Sequence, residues 1–263
     1  MHSSDVDTQG SELLVARLGA RFVMSGGVAA GSASPSAGGQ QEIPAAEDGA
    51  GQYPPELIER PQWCLWRLEV RKDGALAKVP YCPDGSRASV NDPATWSSFQ
   101  DVTDALGHRS ASYGGLGYFF SAADPVCGVD LDVSLDAHGR LEPWAAKILD
   151  RLAGTYAARS VSGRGLHVLC RARLPAKGRN VYLPDGPTDP SGKRAQIGVF
   201  DRGRFFALTG QVFQRSSLEL KDHQETIESL LLLMDEISRV KTESPSHPIL
   251  SLSDGELLDR ARR

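Results

Sequence analysis

The chain has 263 residues, a net charge of −4, 40% hydrophobic residues and 24% charged residues. This composition is typical of a globular protein with one large domain, and it excludes a polycation that binds nucleic acid over its whole surface. The longest apolar tract near the start is interrupted by Arg17 and Arg21, so it is too weak to span a bilayer. The four cysteines lack C-x-x-C spacing and are typical of reduced, buried thiols. We therefore expect a cytoplasmic protein without a membrane partner.

The composition changes sharply after about residue 52. Residues 1–52 are rich in Gly, Ala, Ser and Gln, which predicts a disordered leader because such a segment buries too little apolar surface to offset its ordering entropy. We assign residues 53–215 to one domain of mixed α/β (α+β) class. Residues 216–241 are assigned to a C-terminal helix, and residues 242–263 to a linker and the start of a truncated helical segment.

The first elements of the domain predict an N-terminal α/β unit. The aromatic and apolar run 63–69 predicts a strand, and 78–81 predicts a short return strand at a sheet edge, because it contains proline. A helix is expected from about residue 98 to 108, capped by Ser97 or Ser98. Lys78 is expected to be an exposed edge lysine, with contact to phosphate or template as the alternative.

The rest of the domain predicts a mainly antiparallel sheet with helices on one face. A helix is expected over 143–152, with proline in its first turn, and 216–240 has the spacing of a long amphipathic helix. Residues 174–193 are rich in Pro, Gly and Asp and predict a loop. Apolar runs bounded by turn residues predict strands at 115–120, 126–133, 155–160, 166–172, 196–200 and 204–208.

An acidic pair lies in the strand predicted at 126–133. Alternate residues of a strand point to one face, so the carboxylates of Asp130 and Asp132 converge. Two anions so close need a cation, and hard oxygen ligands suit Mg²⁺ or Mn²⁺. A glycine-containing turn at 162–165 leads into His167, which is placed to reach a phosphate held by that metal. The combination predicts two-metal phosphoryl transfer to or from a nucleotide.

Each of these features also has a plainer interpretation. An Asp-x-Asp pair is common as a solvated turn, and a histidine at a strand start is often structural. Gly163 and Gly165 favour phosphate contact, because glycine permits close approach of the backbone to an anion. Residues 159–204 contain ten Lys or Arg and three Asp. This excess charge predicts either a groove for template and triphosphate or a solvated basic loop.

An ordered series of motifs over roughly residues 56–215 resembles the bifunctional DNA primase-polymerase domains of phages and mobile elements. These domains are part of the archaeo-eukaryotic primase superfamily. The residues that carry the resemblance are Trp63-Cys-Leu-Trp66, Lys78-Val-Pro-Tyr81, Ala88-Ser-Val-Asn-Asp-Pro-Ala-Thr-Trp96, Gly115-Leu-Gly-Tyr-Phe-Phe120, Gly128-Val-Asp-Leu-Asp132, Ser160-Val-Ser-Gly-Arg-Gly-Leu-His167 and Asp201-Arg-Gly-Arg-Phe-Phe-Ala-Leu-Thr-Gly210.

The resemblance implies a primase-like core whose antiparallel sheet is RRM-like. It implies template-directed nucleotide addition, including primer synthesis, in the replication of phage, plasmid or mobile-element DNA. It places the catalytic metals on Asp130 and Asp132 and makes His167 a third catalytic residue. The nucleotide would bind at Ser162, Gly163, Arg164, Gly165 and Arg204. The implied partners are a single-stranded DNA template, nucleoside triphosphates and a helicase, in cis in longer relatives or in trans.

The chain departs from the family pattern where further carboxylates are usual. Aligned on Arg204, the position of the third metal-binding carboxylate is Gly198 here, and Ala158 or Arg159 stands where a glutamate is frequent. Asp201 is a candidate replacement ligand. Two alternatives follow: a catalytically degenerate module of the same fold that binds nucleic acid or nucleotide, and, less favoured, a metal-dependent nuclease or phosphoesterase.

Overall fold

The computed structural model describes residues 52–214 and 216–243, which form a mixed α/β structure with two antiparallel sheets. The predicted α+β class is thereby confirmed. The helices are α1 (Pro55–Ile58), α2 (Phe99–His108), α3 (Pro143–Arg151) and α4 (Gln224–Glu243). The strands are β1 (Trp63–Val70), β2 (Leu76–Tyr81), β3 (Gly115–Phe119), β4 (Val126–Asp132), β5 (Tyr156–Arg159), β6 (Leu166–Arg171), β7 (Arg179–Tyr182), β8 (Gln196–Phe200) and β9 (Phe205–Leu208). The predicted leader, apart from residue 52, and the predicted terminal segment from residue 244 lie outside the described residues.

The strands form a four-stranded sheet of order β2-β1-β3-β9 and a five-stranded sheet of order β5-β6-β4-β8-β7. Every neighbouring pair is antiparallel. Because β9 pairs with β3, the predicted N-terminal unit is completed by a strand from far along the chain. The edge position predicted for the strand that contains Pro80 is confirmed, since β2 pairs with β1 alone.

The five-stranded sheet has one face covered by helices and one face partly open. Helices α3 and α4 pack on the first face, where Val129 and Leu131 of β4 join Ile148 and Met234 in one buried cluster. The other face packs in part against the four-stranded sheet, through the second large core cluster. Within residues 52–214 and 216–243, no helix has the length and apolar character needed to cross a membrane.

Two predicted elements differ from the structure. Helix α4 begins at Gln224 rather than Ser216, because residues 216–223 run beside the ends of β5 and β6. The Arg171 N–H there donates to the Lys221 carbonyl, and the Asp222 carboxylate accepts from the Gln224 N–H at the helix start. The predicted loop 174–193 contains the edge strand β7, which is fixed by an ion pair between Arg179 and Asp235 of α4.

The sheets pack closely at Gly128, where a Cβ would lie 2.4 Å from Phe120 Cζ and 2.6 Å from Phe206 Cε2. We expect Gly128→Ala to lower the free energy of unfolding by roughly 1–3 kcal/mol, because the extra methyl overpacks this junction. Gly107→Ala is the matched control, since nothing lies within 4 Å of its Cβ position in α2. Urea unfolding should show the control unchanged or slightly stabilised; equal stability of both variants would contradict this packing argument.

Candidate active site

The open face of the five-stranded sheet presents a row of directly paired residues. The row runs from Ala158 in β5 through His167, Asp130 and Gly198 to Asn180 in β7. Residues that are opposite one another in antiparallel strands project from the same face. His167 therefore flanks Asp130 on one side and Gly198 flanks it on the other, while Asp132 lies two residues along the same strand.

The carboxylates and the histidine that were predicted from the sequence are brought together. His167 Nε2 lies 3.6 Å from Asp130 Oδ1, and Asp132 Oδ1 accepts from Lys193 Nζ at 2.6 Å. Asp130 Oδ1 and His167 Nδ1 are buried without a hydrogen-bond partner among the described residues. A buried, unpartnered carboxylate oxygen is costly unless another group binds it, which marks this point as a ligand site.

Three cationic side chains surround the pair: Lys193, Lys78 and Arg204 all act electrostatically on Asp130. Arg204 stacks over Phe200, with its guanidinium carbon 4.9 Å from the ring centroid. Lys78 is exposed on the edge strand β2, and its amine lies 5.6 Å from the Trp66 ring centroid. The predicted exposed edge lysine is thereby confirmed for Lys78, and its charge also acts on Asp130.

Burial is the largest influence on the pKa values of Asp130, Asp132 and His167. It raises the pKa of Asp130 despite the neighbouring cations, and it raises the pKa of Asp132 with a further contribution from Asp130. Burial and the charge of Lys78 lower the pKa of His167 to about 3, so its imidazole is neutral at physiological pH. His167 also stacks on Phe206, with ring centroids 4.5 Å apart.

The raised pKa of Asp130 predicts a stability difference that depends on pH. A carboxyl with a raised pKa in the folded state stabilises the fold fully below its unfolded pKa, and this contribution is lost as pH rises through the folded pKa. Without divalent cations, Asp130→Asn should therefore be more stable than wild type at pH 7. The gap should narrow as the pH is lowered toward 4. Thermal melts across this range test the sign; a gap that widens on acidification would contradict it.

The turn between β5 and β6 lies beside Asp132. The Gly163 N–H donates to the Ser160 carbonyl, and Ser162 Oγ accepts from the Arg164 N–H at 3.3 Å. A Cβ on Gly165 would lie 2.8 Å from the Leu131 carbonyl oxygen, so only glycine allows this close approach. Gly163 has a φ of 71°, in the left-handed region that favours glycine. The turn thus places exposed backbone and a hydroxyl at the end of the acidic strand.

The structure does not bring Asp201 to the acidic pair. Its carboxylate accepts from the Leu174 N–H at 2.9 Å and from Arg202, and its charge acts on Cys127, which belongs to the core cluster under α3 and α4. Among the described residues, no group of three or more His, Cys, Asp or Glu side chains is placed to hold a metal ion. The candidate cation site thus consists of the Asp130 and Asp132 carboxylates.

Sequence reasoning missed Lys193 as a site residue. It counted Lys193 only within a basic segment, because the segment reads as a Pro/Gly-rich loop. The available signal was the Asp189–Lys193 turn, in which the Asp189 carboxylate accepts from the Ser191 and Lys193 N–H groups. That turn directs the chain into β8, which pairs with the acidic strand, so Lys193 arrives beside Asp132.

A buried carboxylate pair, a neutral histidine and several cations on an open sheet face are typical of sites for phosphoryl-group chemistry. No family model matches the chain. Over 210 residues, 77% of its length, the chain is 30% identical to the DNA primase-polymerase of Nitratiruptor phage NrS-1. The resemblance to phage primase-polymerases that the ordered motifs predicted is thereby confirmed. The matched stretch is 26% of that relative, so the chain spans about a quarter of its length.

Proposed function

We propose that this cleft catalyses metal-dependent, template-directed nucleotidyl transfer, the reaction of a DNA primase and polymerase. The observation that carries the proposal is the buried, unpartnered Oδ1 of Asp130 beside a second carboxylate, in a cleft otherwise lined by cations. Such an arrangement supports a reaction in which an anionic substrate and a divalent cation meet. The relative named a DNA primase-polymerase supports the same reaction class.

The residues present fit a divalent cation. Mg²⁺ in proteins is commonly held by one or two carboxylates, together with waters and substrate phosphates, and Asp130 and Asp132 meet that requirement. Bound there, Mg²⁺ or Mn²⁺ would lower the pKa of the attacking hydroxyl and neutralise charge on the departing pyrophosphate. A partner for the unpartnered Asp130 oxygen also removes the energetic cost of burying it.

The side chains around the pair would bind and orient the triphosphate. His167 is neutral, so it donates one N–H to a phosphate oxygen without contributing charge. The turn at 160–165 offers a hydroxyl and backbone N–H groups to the same phosphates. Arg204 and Lys78 would stabilise the negative charge that develops on the departing pyrophosphate.

The finer assignments extend this proposal. Residues 53–215 form a catalytic domain with an archaeo-eukaryotic primase-like core, and α4 packs on its sheet. The substrates are a single-stranded DNA template and nucleoside triphosphates, in the replication of phage, plasmid or mobile-element DNA. A helicase acts with the domain, in cis in longer relatives or in trans.

The second candidate function is a module of the same fold that binds nucleic acid or nucleotide without catalysis. Gly198 favours this second function. It pairs directly with Asp130, at the position where the resembled family usually has a third carboxylate. A Cβ at Gly198 would lie 2.7 Å from Phe200 Cε2, so the Phe200 ring fills the space of the missing side chain. A nuclease is the less favoured third candidate.

Labelled nucleotide incorporation on single-stranded and primed DNA, with and without Mg²⁺ or Mn²⁺, separates these functions. Metal-dependent incorporation supports the proposed enzyme. DNA binding without incorporation supports the module, and shortening of the labelled strand without incorporation supports a nuclease.

Lys193 is predicted to compete with the divalent cation. Its amine is an ion-pair partner of Asp132, and this pair must open for a metal to bind that carboxylate. A half-exposed pair of this kind is worth at most about 1 kcal/mol, so Lys193→Ala should lower the half-saturating Mg²⁺ concentration roughly fivefold. Thermal shift during Mg²⁺ titration measures this without nucleotide, with Lys72→Ala at the exposed β1–β2 turn as control. An unchanged or higher half-saturating Mg²⁺ concentration would contradict this competition.

A further inference from the structure

A second row of paired residues runs from Asp132 toward the sheet edge. Its side chains are not used by the proposed chemistry. In the register of the sheet, Asp132 pairs with Gln196 of β8, and Gln196 pairs with Tyr182 of β7. Tyr182 therefore projects from the same face as the acidic pair. Val181 and Arg179 of β7 point the other way, since Val181 packs against the core cluster under α3 and α4 and Arg179 pairs with Asp235 of α4.

Tyr182 is unusually exposed for a large aromatic residue in a strand. It is 48% exposed, whereas Tyr118 and Tyr156 of the same domain are completely buried. The guanidinium carbon of Arg194 lies 5.7 Å from its ring centroid, within the range of a cation–π contact. An exposed ring held beside an arginine on a sheet face is the arrangement that proteins use to stack nucleic-acid bases.

The distance to the acidic pair suits one nucleotide. Two strand spacings separate Tyr182 from Asp132, roughly 10 Å between backbones. That span is comparable with the reach of a nucleotide from its phosphate to the outer edge of its base. Lys193 and Arg194 are consecutive, and they reach Asp132 and Tyr182 respectively, so one short segment links the two positions.

We propose that Tyr182 is a stacking platform for a base of single-stranded DNA bound beside the acidic pair. The proposal rests on the proposed function, in which the triphosphate binds the 160–165 turn on the β5–β6 side of β4. Tyr182 lies on the opposite, β8–β7 side, at the outer edge of the sheet. A polymer can enter and leave over an open edge, so the stacked base is assigned to the DNA strand and not to the triphosphate.

The test compares variants at Tyr182 in the full chain. Fluorescence anisotropy of a labelled oligothymidylate with Mg²⁺ and without nucleotide gives the dissociation constant. Tyr182→Ala should weaken binding about 10-fold, because loss of one stacked base typically has an effect of that size. Tyr182→Phe should bind as wild type, and Tyr182→Leu should resemble alanine, since it keeps apolar area but lacks the aromatic face. Leu232→Ala, an exposed residue of α4 on the opposite side of the sheet, is the control and should change nothing.

The outcomes separate this proposal from the proposed function. If wild type incorporates nucleotides but Tyr182→Ala binds the oligonucleotide as tightly as Leu232→Ala does, the platform is wrong and the function stands. If wild type binds DNA in a Tyr182-dependent manner without incorporating nucleotides, the platform stands and the catalytic function is wrong. A Tyr182→Ala variant with an unchanged DNA dissociation constant but a raised KM for nucleotide would overturn the assignment to DNA. Wild type that binds no oligonucleotide at low salt would overturn the platform outright.

Discussion

Replacing both Asp130 and Asp132 by asparagine is expected to lower nucleotide incorporation by at least about 10³-fold. A divalent cation held at such a site supplies several kcal/mol of transition-state stabilisation, and about 4 kcal/mol corresponds to that factor. Asparagine keeps the size of the side chains, and burial raises the pKa of both carboxyls. The double variant should therefore fold at least as well as wild type without metal. Single-turnover incorporation and thermal melts measure the two effects.

The matched control for this pair is Asp104→Asn, which removes an exposed carboxylate on α2. It should incorporate nucleotides as wild type does. A double variant that retains more than about a tenth of wild-type incorporation would contradict the assignment of the metal to this pair, because loss of metal ligation should far exceed 1.4 kcal/mol.

Replacing His167 by phenylalanine is expected to lower kcat/KM for the nucleotide by about 100-fold. Phenylalanine preserves the stack on Phe206 but removes the N–H that would contact the triphosphate. Because the buried side chain keeps its shape, the melting temperature should change little. Steady-state kinetics with varied nucleotide measures the loss, and His167→Asn tests whether a smaller donor restores part of it.

The loss in kcat/KM caused by His167→Phe should be the same at every pH from 6 to 9. Burial lowers the pKa of His167 to about 3, so the imidazole is neutral throughout this range and its protonation does not shape the profile. A loss in His167→Phe confined to the acidic side would mean that His167 acts as a charged acid near neutrality, contrary to this account. We expect the pH profiles of kcat/KM for wild type and His167→Phe to be parallel.

Much of the site followed from local sequence patterns. The alternation of Asp130 and Asp132 within an apolar run predicted a strand with both carboxylates on one face, and β4 has that geometry. The turn before His167 was equally readable, because Gly163 and Gly165 limit the conformations of that segment. The position of His167 on a strand beside the acidic pair was a hypothesis, since local patterns do not set strand order, and the register of β4 and β6 places the two side by side.

The parts that were missed depend on contacts between distant segments. Strand β7 has four residues in a Pro/Gly-rich stretch, and it is a strand because it pairs with β8 and is tied to α4 by Arg179. Residues 216–223 were read as helix from their apolar spacing, but their backbone groups bind β5 and β6 instead. Lys193 and Tyr182 reach the open face only because β7 and β8 pair there.

The position of Gly198 shows how sequence and structure combine. Alignment on Arg204 identified it as the place of a missing carboxylate, and the register puts it directly beside Asp130. Sequence alone did not reveal that the Phe200 ring fills the space a side chain there would occupy. A third carboxylate at position 198 would therefore require the Phe200 ring to move, because the new Cβ would lie 2.7 Å from its Cε2.

The central claim is that this cleft adds nucleotides under the direction of a template, and single-nucleotide extension of a labelled primer tests it most directly. The primer is annealed to templates that differ in the first unpaired base, and each nucleotide is supplied alone with Mg²⁺ or Mn²⁺. The account predicts extension by one residue only with the complementary nucleotide and only with metal, and none in the Asp130→Asn/Asp132→Asn variant. Primers left unextended by wild type under both metals, or extended equally by every nucleotide whatever the template, would contradict it.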